Sequence, residues 1–212
     1  MEKPFEAKGN RVNMTPDNQN RRRRTLGFSL LELMIVAGMG MVIAAVAVPN
    51  ILRTVANMRL RSAAGSISSI IQDGRVRAIR ANRRTAILLV TQNSAQLLCV
   101  DEDLDSTCDP TERTAQIPTT VTRLTAAPSG AGAPTTLDST VGITSPQLAS
   151  LPSFNPRGLP CLFASGACTT NTGFVLYLSG AQPIGNPSWA AVSITPAGRV
   201  KVWSWTGSAW GN

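Results

Sequence analysis

Residues 21–50 read RRRRTLGFSLLELMIVAGMGMVIAAVAVPN: four arginines, then an apolar run broken by one carboxylate, Glu32. From Phe28 to Val48 no other charge occurs. At about 1.5 Å of rise per residue, a helix of that length crosses the roughly 30 Å hydrocarbon core of a bilayer. The basic block ahead of it predicts a cytoplasmic N-terminus and a translocated C-terminal part. A cleaved secretory signal is one reading, since Ala45-Val46-Ala47 forms an A-x-A cleavage pattern. The run is longer than the usual apolar core of such signals, about 7–15 residues, and a charge interrupts it. A plain single-pass anchor leaves Glu32 without a purpose, because an ionisable group at mid-membrane costs about 2.5–3.5 kcal/mol.

Charge is unevenly spread along the 212 residues, whose net is +8. Residues 1–27 hold a net +4, Arg53 to Arg84 hold eight arginines against Asp73, and Thr85 onward carries −2. This describes a basic stem bearing a mildly acidic head rather than a uniform polyanion binder. The chain contains no histidine. That removes the usual general base, the histidine-dependent triads and most catalytic zinc sites. No catalytic constellation is assembled elsewhere, so neither enzyme activity nor a cofactor is expected.

Cys99, Cys108, Cys161 and Cys168 form two close pairs in loop-like settings. Two local disulfides, Cys99–Cys108 and Cys161–Cys168, are the simplest of three connectivities. Reduced thiols or a zinc site are the alternatives, although the spacings match no usual zinc pattern.

A third reading of the N-terminal segment accounts for every residue in it. Gly27-Phe28-Ser29-Leu30-Leu31-Glu32 closely resembles the prepilin processing motif of the type IV pilin and type II secretion pseudopilin superfamily. The resemblance implies a cut by prepilin peptidase between Gly27 and Phe28, N-methylation of Phe28, and Glu32 as the fifth residue of the mature chain. It also implies partners: other pilin or pseudopilin subunits and an inner-membrane assembly platform. The cut creates an amine one helical turn from Glu32, and either charge alone would be poorly solvated there. In this family the carboxylate is held to pair with the amine of an adjacent protomer.

The expected organisation is a removed basic leader (1–27), a transmembrane helix (28–48), an amphipathic helical stem (49–84) and a β-rich head (85–212). Gly40-x-x-x-Ala44, with Ala37, Gly38, Ala45 and Ala47, permits close helix approach. Pro49 marks an expected kink. Ile51, Val55, Met58, Ile67, Ile70, Ile71 and Ile79 recur at mostly helical spacing, with Gly65 and Gly74 as weak spots. Arg77, Arg80 and Arg84 share a helix face, read either as a nucleic-acid track or as a solvated, acid-contacting face.

From Thr85 the chain turns to short β-rich runs. Thr85–Thr91 with Ala95–Val100 predicts a hairpin, and Gly173–Leu178, Trp189–Ile194 and Arg199–Trp205 predict three later strands. Residues 125–153, rich in Ala, Pro, Ser and Thr, read as a long loop with room for one strand. The fold class is α+β, a long N-terminal helix against antiparallel sheet, as in type IV pilins.

"SFNPRGLP", "GFVLYLS" and "SITPAGRVKVW" resemble the pseudopilin H and FimT-like minor pilin group. That group implies a filament subunit spanning the envelope in support of type II secretion, or alternatively a minor pilin binding DNA for natural transformation. Location would be the bacterial inner membrane, head in the periplasm, and then the filament. For DNA the candidate residues are Arg199, Lys201, Trp203 and Trp205, alternating along one strand, with a plain sheet-covering role as the alternative. Asp101, Asp103, Asp105 and Glu112 occupy positions 1, 3, 5 and 12 of a calcium-loop pattern. Ser106 stands where that pattern has glycine and Pro110 intrudes, so an acidic loop closed by Cys99–Cys108 is the favoured reading and no metal is expected.

Overall fold

The computed structural model describes residues 29–93, 95–129, 134, 136–143 and 145–212. Residues up to 42 and residues 43–212 form two separate compact units. A single helix, α1 (Leu30–Ala81), runs through Pro49. It stops three residues before the expected Arg84 for a local reason. Asn82 takes a left-handed φ of 47°, its N–H reaches Ile79 O, and Arg83 N–H reaches Ala78 O. This is a Schellman cap with asparagine in place of glycine, which satisfies carbonyls the last turn would leave bare.

Along the stem, Leu60, Ala63, Ala64, Ile67, Ile70, Ile71, Gly74 and Ala78 are buried on one stripe at spacings of three and four. The strands around this stripe are β1 (Thr85–Gln92), β2 (Ala95–Asp101), β3 (Thr114–Ile117), β4 (Val121–Leu124), β5 (Ser153–Phe154) and β6 (Pro160–Ala164). They are followed by β7 (Ala167–Thr169), β8 (Phe174–Gly180), β9 (Ser188–Ile194), β10 (Val200–Trp205) and β11 (Trp210–Gly211). Two antiparallel sheets result, in the orders β3-β2-β1-β5-β6-β7 and β11-β10-β9-β8-β4. The expected long helix against antiparallel sheet is thus formed, with the strands divided between two sheets. The main core joins the helix stripe to Ile87, Leu98 and Val100 of the first sheet and to Phe174, Leu176, Leu178, Val192 and Ile194 of the second. Each fully buried isoleucine or leucine here contributes about 1.5–3 kcal/mol.

A second apolar cluster contains Val175, Tyr177, Ala191, Trp203 and Trp210, alternate to the β8 and β9 residues of the main core. Leu137, at the start of the short helix α2 (Asp138–Val141), belongs to it, with Leu124 and Leu148 packed alongside. Leu137 N–H donates to the Tyr177 hydroxyl at 2.8 Å. The segment read as a long loop with room for one strand therefore supplies part of a core. Burial holds the Tyr177 phenol above its ordinary pKa, which keeps it neutral beside the accepted N–H.

Three glycines are dictated by close packing. Gly74 was expected to weaken the helix, yet a Cβ there would stand 2.7 Å from Ile87 Cδ1, and its carbonyl accepts from Thr85 Oγ1 at 3.0 Å. Gly158 (φ +73°) and Gly198 (φ +79°) sit in the NPRG and PAGR turns. A Cβ at Gly158 would lie 2.6 Å from Ile79 Cδ1, and one at Gly198 3.0 Å from Arg75 Cζ and 3.1 Å from Gly158 O. Arg75 Nη1 in turn donates to Gly198 O at 2.8 Å, so both turns are seated on the stem.

Candidate functional site

Within the first compact unit, every described residue of α1 is exposed, with Leu30 77% and Met41 73% accessible. One stretch of this helix is long and apolar enough to cross a membrane, with a mean hydropathy of 2.3 and none of it buried. A folded water-soluble surface rarely leaves so large a contiguous apolar area bare. Glu32 is the acid in its first turn and is exposed. Gly27 and Phe28 lie outside the described residues. A Cβ added at Gly38 or Gly40 would meet no atom of the described residues within 4 Å. Among the described residues no packing requires those glycines, whereas close approach by another helix would.

The cysteines pair as Cys99–Cys108 and Cys161–Cys168, with Cα separations of 5.9 and 5.4 Å. The first ties the acidic loop to β2, and the second staples the β6–β7 hairpin. Inside the acidic loop, Asp101, Asp103 and Asp105 bring carboxylate oxygens within 4.8 Å of one another. Asp101 is only 2% exposed and accepts from Leu104 N–H (2.5 Å) and Ser106 N–H (3.1 Å). Burial raises its carboxyl pKa, against the lowering effect of those two donors. Glu112 faces other work: its oxygens accept from the Glu102 N–H (2.9 Å) and the Asp109 N–H (3.2 Å). The sequence spacing of four acids thus becomes a cluster of three and a separate backbone clamp. Leu104 and Ser106 both carry positive φ, 69° and 67°, with no glycine to ease the turn.

The arginine row on the stem is partly consumed by this loop. Arg77 donates to Glu102 and, at 2.6 Å, to Asp73, and these partners hold its guanidinium above its ordinary pKa. Arg84 lies 3.5 Å over the Phe163 ring centroid. Of the three, Arg80 alone is exposed without an ion pair among the described residues. On β10, one of the two indoles is buried and the other half-buried. Trp203 is 7% exposed, donates from Nε1 to Ser193 Oγ at 2.8 Å, and has the Lys201 ammonium 4.1 Å from its ring centroid. Trp205 is half-buried with its ring edge-on to Trp210 at 5.6 Å. Arg199 stands exposed at the preceding turn. The four residues do not make one continuous stacking surface.

The chain matches no protein-family model and no curated protein. Among solved structures it is similar to the type IV minor pilin FimU of Pseudomonas aeruginosa. That likeness has 14% identity and a TM-score of 0.43, over 74% of this chain and 95% of the other.

Two features escaped sequence reasoning. On the head, a cleft of about 650 Å³ is lined by Arg84, Leu88, Asp101, Arg123, Leu151 and Phe163. Arg123 there donates to Leu148 O (3.3 Å) and Ala149 O (2.6 Å), and burial lowers its pKa. Its only sequence signal is a lone arginine in a Thr-rich run, too little to announce a half-buried cation. At the other end of the stem, Arg53 Nε donates to Ile184 O at 3.3 Å, and Gln182 Nε2 to Asn57 Oδ1 at 2.8 Å. Loop 181–187 is thereby fastened to the helix, a contact spanning 131 residues that no local pattern records.

Proposed function

We propose that the chain is a minor pseudopilin: a structural subunit, without catalysis or cofactor, of an envelope-spanning filament that supports type II protein secretion. The carrying observation is the bare apolar helix with Glu32 in its first turn, following directly on Gly27-Phe28. The precursor sits in the inner membrane, its basic leader cytoplasmic and its head periplasmic. Prepilin peptidase cuts after Gly27, Phe28 becomes the methylated N-terminus, and an assembly platform draws the subunit into the filament. Glu32 then meets the amine of a neighbouring subunit, each neutralising a charge that lipid would leave stranded. The two disulfides suit an oxidising compartment.

Intact-mass analysis of the mature chain tests this, with a start at N-methylated Phe28 as the expected result. A start at Val48 would mean an ordinary signal peptidase and would overturn the proposal. Glu32→Ala should leave cleavage intact and abolish incorporation into filaments. The second reading is a type IV pilus minor pilin that binds DNA for transformation, supported by exposed Arg199 beside Lys201 on β10. A salt-dependent DNA shift lost on Arg199→Ala with Lys201→Ala would favour it over secretion.

A further inference from the structure

We infer that the base of the head, built from loop 181–187, Trp189, Trp205 and the stem around Arg53, is a docking surface for an anionic lipid membrane. The inference rests on the membrane-anchored reading above. Within residues 43–81 the stem is helical, so Arg53 stands about 7.5 Å beyond Val48, the last residue of the apolar run. Headgroups add about 5–7 Å to each side of the hydrocarbon core. Arg53 therefore falls at headgroup level when the apolar run spans, and the loop whose Ile184 carbonyl it holds falls there with it.

The composition of this end matches that placement. Ile184 is 47% exposed at the tip of a loop without a single charge. Trp189 and Trp205 line a cleft of about 560 Å³ together with Arg53, Asn57 and Ile184. Indoles of this kind, apolar in body and polar at one edge, concentrate at membrane interfaces. Arg53, Arg59 and Arg61 are all exposed. They face no acid nearby in sequence, because none occurs between residues 33 and 72 or after Asp138. Each cation near an anionic leaflet favours the docked state by about fivefold. A resting subunit is thus seated on the bilayer by its base, and its head must lift off the lipid when it is drawn into an assembly.

The test uses the full chain in phosphatidylcholine vesicles with and without phosphatidylglycerol. A polarity-sensitive label is placed on Ile184→Cys and, in a second protein, on Ala197→Cys, the native cysteines being disulfide-bonded. Ala197 is exposed beside the turn held by Arg75, about 33 Å farther along the stem than Arg53. Brominated lipid should quench the label at 184 and leave the one at 197 unquenched. Arg53→Gln should lower the docked-to-undocked ratio about fivefold, omission of phosphatidylglycerol should lower it by at least as much, and Arg53→Lys should restore it. Vesicle flotation separates the failures. Protein that floats with an unquenched 184 label overturns the docking surface alone; protein that does not float overturns the anchor and the docking surface together. Shielding of the 184 label that follows protein density rather than lipid composition would assign the surface to a second copy, and would also overturn the inference.

Discussion

Replacing Gly198 by alanine should destabilise the head by about 2–4 kcal/mol. Two terms make up this figure. At φ +79° an alanine bears left-handed strain of about 1–2 kcal/mol. Its Cβ would also stand 3.0 Å from Arg75 Cζ and 3.1 Å from the Gly158 carbonyl, so Arg75 must give up its 2.8 Å bond to Gly198 O. A hydrogen bond from a charged group contributes about 1.5–3 kcal/mol, and partial exposure places this one at the lower end. For a unit of this size the sum lowers Tm by roughly 5–15 °C. Thermal unfolding of the full chain in detergent, followed by near-UV circular dichroism, reads the change. Gly65→Ala is the matched control, since its added Cβ meets no atom within 4 Å and it lies in the exposed face of the helix. That variant should gain up to about 1 kcal/mol from helix propensity. If both substitutions shift Tm equally, or if Gly198→Ala leaves it unchanged, the seating of the PAGR turn on Arg75 is not what requires glycine.

Tyr177→Phe should cost about 1–3 kcal/mol, because the buried Leu137 N–H loses its acceptor, and hydrogen exchange at Leu137 should accelerate. Removing the Cys161–Cys168 link by double serine substitution should lower stability by about 2–3 kcal/mol, the chain-entropy value for so short a loop, measured by denaturant midpoint. Asp101 titrates above its ordinary 3.8 because it is buried, so the folded state holds its proton more tightly than the unfolded one. Its contribution to stability is therefore greatest below about pH 4 and is lost as pH rises through the raised value. Melting curves of Asp101→Asn should show the variant gaining on the parent as pH increases over that range; a constant difference would refute the assignment.

The α1 helix and strands β1, β2, β8, β9 and β10 were legible because each carries a long periodic or β-branched run. Strands β3 and β4 are four residues each and rich in threonine and polar side chains, so they cannot be told from loop without the neighbours that pair with them. The segment after β4 contributes to its core mainly through Leu137 and one backbone N–H, a signal with no period at all. Alternation puts Trp203 and Trp205 on one shared face of β10 but does not say which face meets solvent. Both faces of β10 are covered, by Val200 and Val202 on the main core and by Trp203 on the second cluster. The partner of Arg77 is hidden from the sequence for a related reason, as it meets Glu102 only once the loop after β2 folds back over the stem. Glu32 needed no folding to be noticed, since a single acid in an apolar run is conspicuous in one dimension.

Both disulfides close loops of fewer than a dozen residues, and neither one fastens the sheets to α1. The helix is held instead by Leu60 through Ala78, side by side with the strands, and by the clasp of Arg75 on Gly198. An axial tug on the stem therefore loads that whole stripe in shear, many small contacts sharing the force at once. Peeling would break them singly and needs a far smaller pull. The seat of the strands on residues 60–78 is thus firm against a pull along the helix and weak against one across it, a tow-bar rather than a hinge.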